Sequence, residues 1–201
     1  MQTVVNGLEE LLLAAAELEA ALQRNGWGFC FIGGVAIQRW GNPRFTDDID
    51  LTLLTGFGDE EKFVDALLKE LNPRRPDARE FALRHRVLLA QTRAGVQVDI
   101  AFGALPFEER SVARATVWEV RGGVMLTTCS AEDLVVHKTF AGRDLDWGDV
   151  ERVLIRQHGK LNFGQIRAEL TPLLELKGER ESLDKLGRMI ATVERRLQAK
   201  P

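Results

Sequence analysis

Between residues 29 and 54 the chain passes from an apolar run, Phe29-Cys30-Phe31-Ile32, into the pair Gly33-Gly34, then through Val35–Trp40 and the loop Gly41-Asn42-Pro43-Arg44 into FTDDIDLTLL. This order constrains the fold more than any other stretch. A short continuous apolar run reads as a buried strand. The glycines stop it and lead directly into a short helix at 35–40. In FTDDIDLTLL, Ile49, Leu51 and Leu53 alternate with Asp48, Asp50 and Thr52, the two-residue period of a strand with one buried face.

The flanking segments extend this pattern. Residues 7–24 carry Leu8, Leu11, Leu12, Ala15, Leu18 and Leu22 at helical spacing and end near Asn25-Gly26, a C-cap signal. Residues 59–71 read as a second amphipathic helix with an acidic start. Asn72–Asp77 reads as a loop. Residues 86–92 and 96–102 are β-rich runs separated by Arg93-Ala94-Gly95, a hairpin signature, and 114–127 can form a second hairpin turning at Gly122-Gly123. From Ser130 the pattern is helical. Ser130-Ala131-Glu132-Asp133 resembles a capping box with Asp in the last place. The last helix is expected near 181–198, with Arg195, Arg196 and Lys200 complementing its C-terminal dipole. The sequence thus predicts an α+β chain: a mixed sheet flanked by helices over 1–127, then a helical part over 128–201.

Composition excludes several classes. The 201 residues are 45% hydrophobic and 28% charged, ordinary for a globular protein and unlike a disordered one. The net charge of −3 argues against a general nucleic-acid coat protein, although Arg74, Arg75, Arg84 and Arg86 could form a local basic patch. The longest apolar stretch, 11–16, is too short to span a bilayer, and the N-terminus lacks the basic region of a signal peptide. Cys30 and Cys129 have no metal spacing and are expected to be reduced thiols. The expected location is the cytoplasm.

The chemistry concentrates in the acidic strand. Asp48 and Asp50 lie two residues apart and project from one face. Two carboxylates so placed repel unless solvated, protonated or bridged by a cation. Oxygen ligands at this spacing suit Mg²⁺. Taken alone, such a pair is more often a surface feature, and Gly-Gly after a strand is usually a tight turn. Asp99 changes the weighting. It lies in VQVDI, where Val96, Val98 and Ile100 would face inward and Asp99 outward. It could complete a trio that clamps an attacking and a leaving oxygen through bound metal. Backbone N–H groups at Gly33 and Gly34 could then approach a polyphosphate at a helix start. Asp47 should point to the opposite face. Asp146 and Asp149 read equally well as helix-start acids or partners of Arg143. His85, His137 and His158 show no common spacing, and Trp40 and Trp147 read as packing residues.

GGVAIQRWGNPRFTDDIDL resembles the signature of the nucleotidyltransferase superfamily with the DNA polymerase β-like fold, and more narrowly the AbiEii-like enzymes of toxin–antitoxin and phage-defence systems. Ser130–Leu134 followed by Lys138, Arg143, Asp146 and Asp149 resembles the helical motif of that group. The resemblance covers residues 30–155 or so. It implies Mg²⁺- or Mn²⁺-dependent transfer of a nucleoside monophosphate from an NTP, ATP among them, to an acceptor, with release of pyrophosphate. Asp48, Asp50 and Asp99 would be the catalytic metal ligands, Asp99 also helping to deprotonate the acceptor hydroxyl. Gly33 and Gly34 would cradle phosphates, Lys138 would contact phosphate or nucleotide, and Arg44 and Thr46 would orient the loop or touch phosphate. The implied partners are an NTP, an acceptor that is RNA, protein or a small molecule, and an antitoxin protein.

Two other readings remain open at this level. Asp48-Ile49-Asp50-Leu51-Thr52 also matches the D-x-D-x-T motif of haloacid-dehalogenase-like phosphatases, although there the apolar run precedes the first acid and here it follows. A catalytically inactive module that keeps the fold for binding or regulation is the second.

Overall fold

The computed structural model describes residues 2–120 and 122–199, with side chains from residue 7 onward; Lys200 lies outside the described residues. In chain order the elements are α1 (Gln2–Arg24), β1 (Phe29–Phe31), α2 (Gly33–Trp40), β2 (Asp48–Leu54), α3 (Glu60–Glu70), β3 (Asn72–Pro73), α4 (Ala78–His85), β4 (Val87–Gln91), β5 (Gln97–Gly103), α5 (Pro106–Ala113), β6 (Thr116–Glu119), β7 (Met125–Thr128), α6 (Ala131–Ala141), α7 (Asp144–Arg156), α8 (Phe163–Lys177) and α9 (Glu181–Gln198). The fold is α+β. By contacts the chain divides into two compact units, Met1–Val35 with Phe45–Cys129 and Ala36–Arg44 with Ser130–Pro201. Residues 36–44 therefore count with the helices, although in chain order they lie within 1–127.

Among the described residues of the first unit, the strands form one mixed sheet in the order β3-β4-β5-β2-β1-β7-β6. Both hairpins read from the sequence are present, β4 with β5 and β6 with β7, each antiparallel. β2 lies between β1, antiparallel to it, and β5, parallel to it. The alternation in β2 is the cause of its placement: Ile49, Leu51 and Leu53 are fully buried, while Asp48 and Asp50 are half-buried on the other face. The leucine face of α1 covers the core with Leu11, Ala15, Leu18 and Leu22, which join Ile49, Leu51, Leu53, Leu88, Val98 and Ile100 in one cluster. Glu19 is buried in this face, its carboxylate accepting from the Thr127 backbone N–H at 2.8 Å and the Thr127 hydroxyl at 2.7 Å. A carboxylate so paired ties α1 to β7.

The structure adds elements that the sequence patterns above do not include. α4 and α5 are eight-residue helices, and β3 is a two-residue edge strand inside the expected loop at 72–77. Cys30 and Cys129 are both buried.

The second unit is built on α6–α9. Ser130 caps α6: its hydroxyl accepts from the Asp133 N–H at 3.0 Å and donates to the Asp133 carboxylate at 2.8 Å. Gly142, at φ 72°, ends the helix in the left-handed region. Trp147 is a packing residue, 6% exposed, with its indole N–H donating to the Gly142 carbonyl. No helix among the described residues is long and apolar enough to cross a membrane.

Candidate active site

In the first unit, the pairing of β1 with β2 brings the end of one strand to the start of the other. Phe31 faces Leu51, and the Ile32 N–H donates to the Asp50 carbonyl at 2.9 Å. The glycine pair that follows Ile32 therefore meets the acidic start of β2. A Cβ on Gly33 would stand 2.6 Å from Asp50 Cγ, and one on Gly34 would stand 2.7 Å from Thr46 Cβ. Both distances are impossible for real side chains, and Gly33 also has φ +52°. These glycines are demanded by the close approach of Asp50 and Thr46. They also open α2, so their N–H groups have no acceptor within the helix.

Asp50 pairs in register with Asp99 on the parallel strand β5. In-register residues of neighbouring strands share a face, so Asp48, Asp50 and Asp99 all project from the side of the sheet opposite the core. Thr46 is buried, and its hydroxyl donates to Asp48 Oδ1 at 2.8 Å, fixing that carboxylate. Asp47 is exposed. Asp99 is held by Arg74, whose Nη2 donates to Asp99 Oδ1 and whose Nη1 donates to Gln97 Oε1. Burial pushes the Asp99 carboxyl above its ordinary range; Arg74 pulls it down, Asp48 pushes it up, and the net direction is up.

The donor set consists of hard carboxylate oxygens with no Cys or His among them, which suits Mg²⁺ or Mn²⁺. The Asp50 carboxylate occupies the space that a side chain at Gly33 would need, so the glycine lets this acid sit directly against the helix start. Among the described residues, no three His, Cys, Asp or Glu side chains already converge on one ion position, and Asp99 is engaged with Arg74. The fit is one of chemistry and shared face. Gly33→Ala is expected to push Asp50 aside and to lower transfer about 100-fold, the scale of a misplaced reacting group, with about 1–2 kcal/mol of stability lost to the left-handed alanine. Initial rates and urea midpoints on the same samples check it.

In the second unit, Lys138 and Arg44 sit in a charge network. Lys138 is 7% exposed, and its ammonium lies 3.0 Å from both Asp146 and Asp149. Arg44 binds Asp149 bidentately, at 2.8 Å through Nε and through Nη2. Arg143 pairs with Asp146 and Arg152 with Asp149. Burial raises both aspartates, but hydrogen bonds from Arg143 and Lys138 outweigh it at Asp146, and bonds from Arg44 and Lys138 outweigh it at Asp149; both end below the usual carboxylate range. Asp146 also accepts from the Arg143 N–H at 3.2 Å, so it is both a helix-start acid and a partner of Arg143. The sequence pointed to Arg143 as a partner but gave no sign of Arg44 or Lys138. His137 is half-buried, and desolvation of its ring pushes it down to about 4, so it is neutral at ordinary pH. The expected basic patch is largely consumed internally: Arg74 pairs with Asp99, Arg75 with Asp77 and Arg86 with Glu60.

A family model described as nucleotidyl transferase AbiEii toxin, type IV TA system, matches residues 15–146. The chain belongs to the AbiEii nucleotidyltransferase family. The match spans the glycine pair, all three aspartates of the acidic face and Lys138. The nucleotidyltransferase assignment displaces the phosphatase reading, and the strand agrees: β2 begins at Asp48, whereas the phosphatase motif needs its first acid at the end of an apolar strand. Among solved structures, an antigenic nucleotidyltransferase-like protein from Paracoccidioides brasiliensis is similar with a TM-score of 0.54 and 17% identity, over 89% of this chain and 92% of that one. The antibiotic-resistance factor ANT(2'')-Ia is similar with a TM-score of 0.51 and 15% identity, over 83% of this chain and 92% of that one. At these identities they speak for the fold alone. No curated protein matches the sequence.

Proposed function

We propose that this AbiEii-family nucleotidyltransferase holds Mg²⁺ or Mn²⁺ on Asp48, Asp50 and Asp99 and transfers a nucleoside monophosphate from an NTP to a hydroxyl of RNA, protein or a small molecule. The observation that carries the reading is the in-register pairing of Asp50 with Asp99, two residues along from Asp48, against a glycine cradle. Bound divalent ions neutralise triphosphate charge and acidify a hydroxyl. The chain's own groups do the rest. The N–H groups of Gly33 and Gly34 receive phosphate oxygens at the helix start. Thr46 keeps Asp48 oriented. Asp99 takes the acceptor proton as the acceptor oxygen bonds to the α-phosphorus and the bond from that phosphorus to the bridging oxygen breaks, releasing pyrophosphate. Lys138 and Arg44 are proposed phosphate contacts whose charges are held by Asp146 and Asp149 until nucleotide binds. The family's type IV toxin–antitoxin description supports an antitoxin protein as partner and action in the cytoplasm, where NTPs are available.

A second reading, a catalytically inactive binding module, is favoured by one observation: Asp99 is engaged by Arg74. Incubating the protein with each α-labelled NTP, Mg²⁺ and cell extract separates the two. Label covalently carried into one acceptor fraction, lost on chelation, is expected. Nucleotide binding without label transfer would favour the binding module.

A further inference from the structure

Arg74 stands in line with the acidic face. Its backbone N–H donates to the Leu89 carbonyl at 3.1 Å. Leu89 is the register partner of Asp99, and Asp99 is that of Asp50. Arg74, Leu89, Asp99 and Asp50 therefore form one row across the sheet, and the Arg74 side chain reaches over β4 to the site. Its hold there is incomplete. One donor goes to one oxygen of Asp99, a second goes to Gln97, and the buried Nε has no hydrogen-bond partner. Arg44 on Asp149 is the contrast: a bidentate fork on a carboxylate with no exposed surface. The Arg74 and Asp99 side chains are 22% and 34% exposed. Arg74 also follows directly on the two-residue edge strand β3.

We propose that Arg74 is a built-in cation that holds Asp99 in the absence of metal and must release it when a divalent ion binds, so that Arg74 sets the affinity of the acidic face for that ion. This inference rests on the reading of Asp48, Asp50 and Asp99 as metal ligands. A guanidinium and a divalent cation compete for the charge of the one Asp99 carboxylate, and two cations a few ångströms apart repel strongly where water is partly excluded. A monodentate, partly exposed ion pair is weak enough to be displaced.

The test is Mn²⁺ binding to the full chain, followed by the electron paramagnetic resonance signal of the free ion. Arg74→Gln is expected to bind Mn²⁺ about three- to tenfold more tightly than the unsubstituted protein. Arg75→Gln makes the same change of charge at the neighbouring residue, which pairs with Asp77, and is expected to leave the affinity unchanged. Should Arg74→Gln fail to fold, as read by its urea midpoint, Gln97→Ala carries the test: it loosens the guanidinium from its other anchor and should tighten binding in the same direction. Equal or weaker binding by Arg74→Gln overturns the inference, as does an equal gain in Arg75→Gln. A gain that persists in Arg74→Gln/Asp48→Asn also overturns it, because the ion would then lie elsewhere. If Asp48→Asn alone leaves binding at full strength, the reading of the acidic face fails. If Asp48→Asn abolishes binding and Arg74→Gln changes nothing, only the role of Arg74 fails.

Discussion

Asp50→Asn is expected to lower nucleotidyl transfer by at least about 1,000-fold, the scale of removing a principal charge-stabilising group from an active site. The amide has the size of the carboxylate and should fit the narrow space against Gly33. It cannot supply the negative charge that draws a divalent ion. The fold should tolerate the change, because β2 is anchored from its other face by Ile49, Leu51 and Leu53, all fully buried. The contrast between activity and stability is therefore the signature. Initial rates of label transfer should collapse, while the urea midpoint moves little or rises as repulsion from Asp48 and Asp99 is relieved. A parallel loss of folding would move Asp50 from chemistry to scaffold.

Lys138→Ala has the second large effect, and it falls on stability. Lys138 bridges two aspartates that have no exposed side-chain surface. Removing the cation that both buried carboxylates share leaves them only arginines that are each partly exposed, at a cost of about 3–5 kcal/mol. For a chain of this length that is a fall in Tm of roughly 6–20 °C. The loss should be pH-dependent. Because Asp146 and Asp149 lie below their ordinary range in the folded protein, the stability they contribute is present above about pH 4 and disappears as pH falls through their lowered values. Without Lys138 the burial that raises both groups is less opposed, so their values rise and acid unfolding should begin at a higher pH. Thermal melts across a pH series check this. An unchanged acid limb would show that Arg44, Arg143 and Arg152 carry the network alone.

The strand period of FTDDIDLTLL made the acidic face legible, because alternation needs only neighbouring residues. The same locality made both hairpins and the limits of α3 and α9 readable. Asp99 could be placed on the outward face of its own strand, but its register against Asp50 depends on β5 running parallel beside β2, which no local pattern states. Arg74 is the clearest omission. It sits 25 residues before Asp99 in a stretch that reads as loop, and only the order β3-β4-β5 brings the two together. The helix α4 escapes notice because eight residues scarcely exceed two turns and three of them are basic. α5 had a readable signal: Pro106 opens the helix, and the Glu108 carboxylate accepts from the Leu105 N–H at 2.8 Å. The partners of Asp149 show another limit. Arg152, three residues on, follows from helical spacing, whereas Arg44, more than a hundred residues away, does not.

Asp48, Asp50 and Asp99 are proposed to form one metal-binding face beside Gly33 and Gly34. Its most direct test is a crystal structure with Mn²⁺ and a non-hydrolysable NTP analogue, with the ion located by its anomalous scattering. Anomalous density beside the carboxylates of these three residues is expected, with Arg74 withdrawn from Asp99. Ordered nucleotide with no anomalous density on this face, or with Mn²⁺ bound elsewhere, would contradict it.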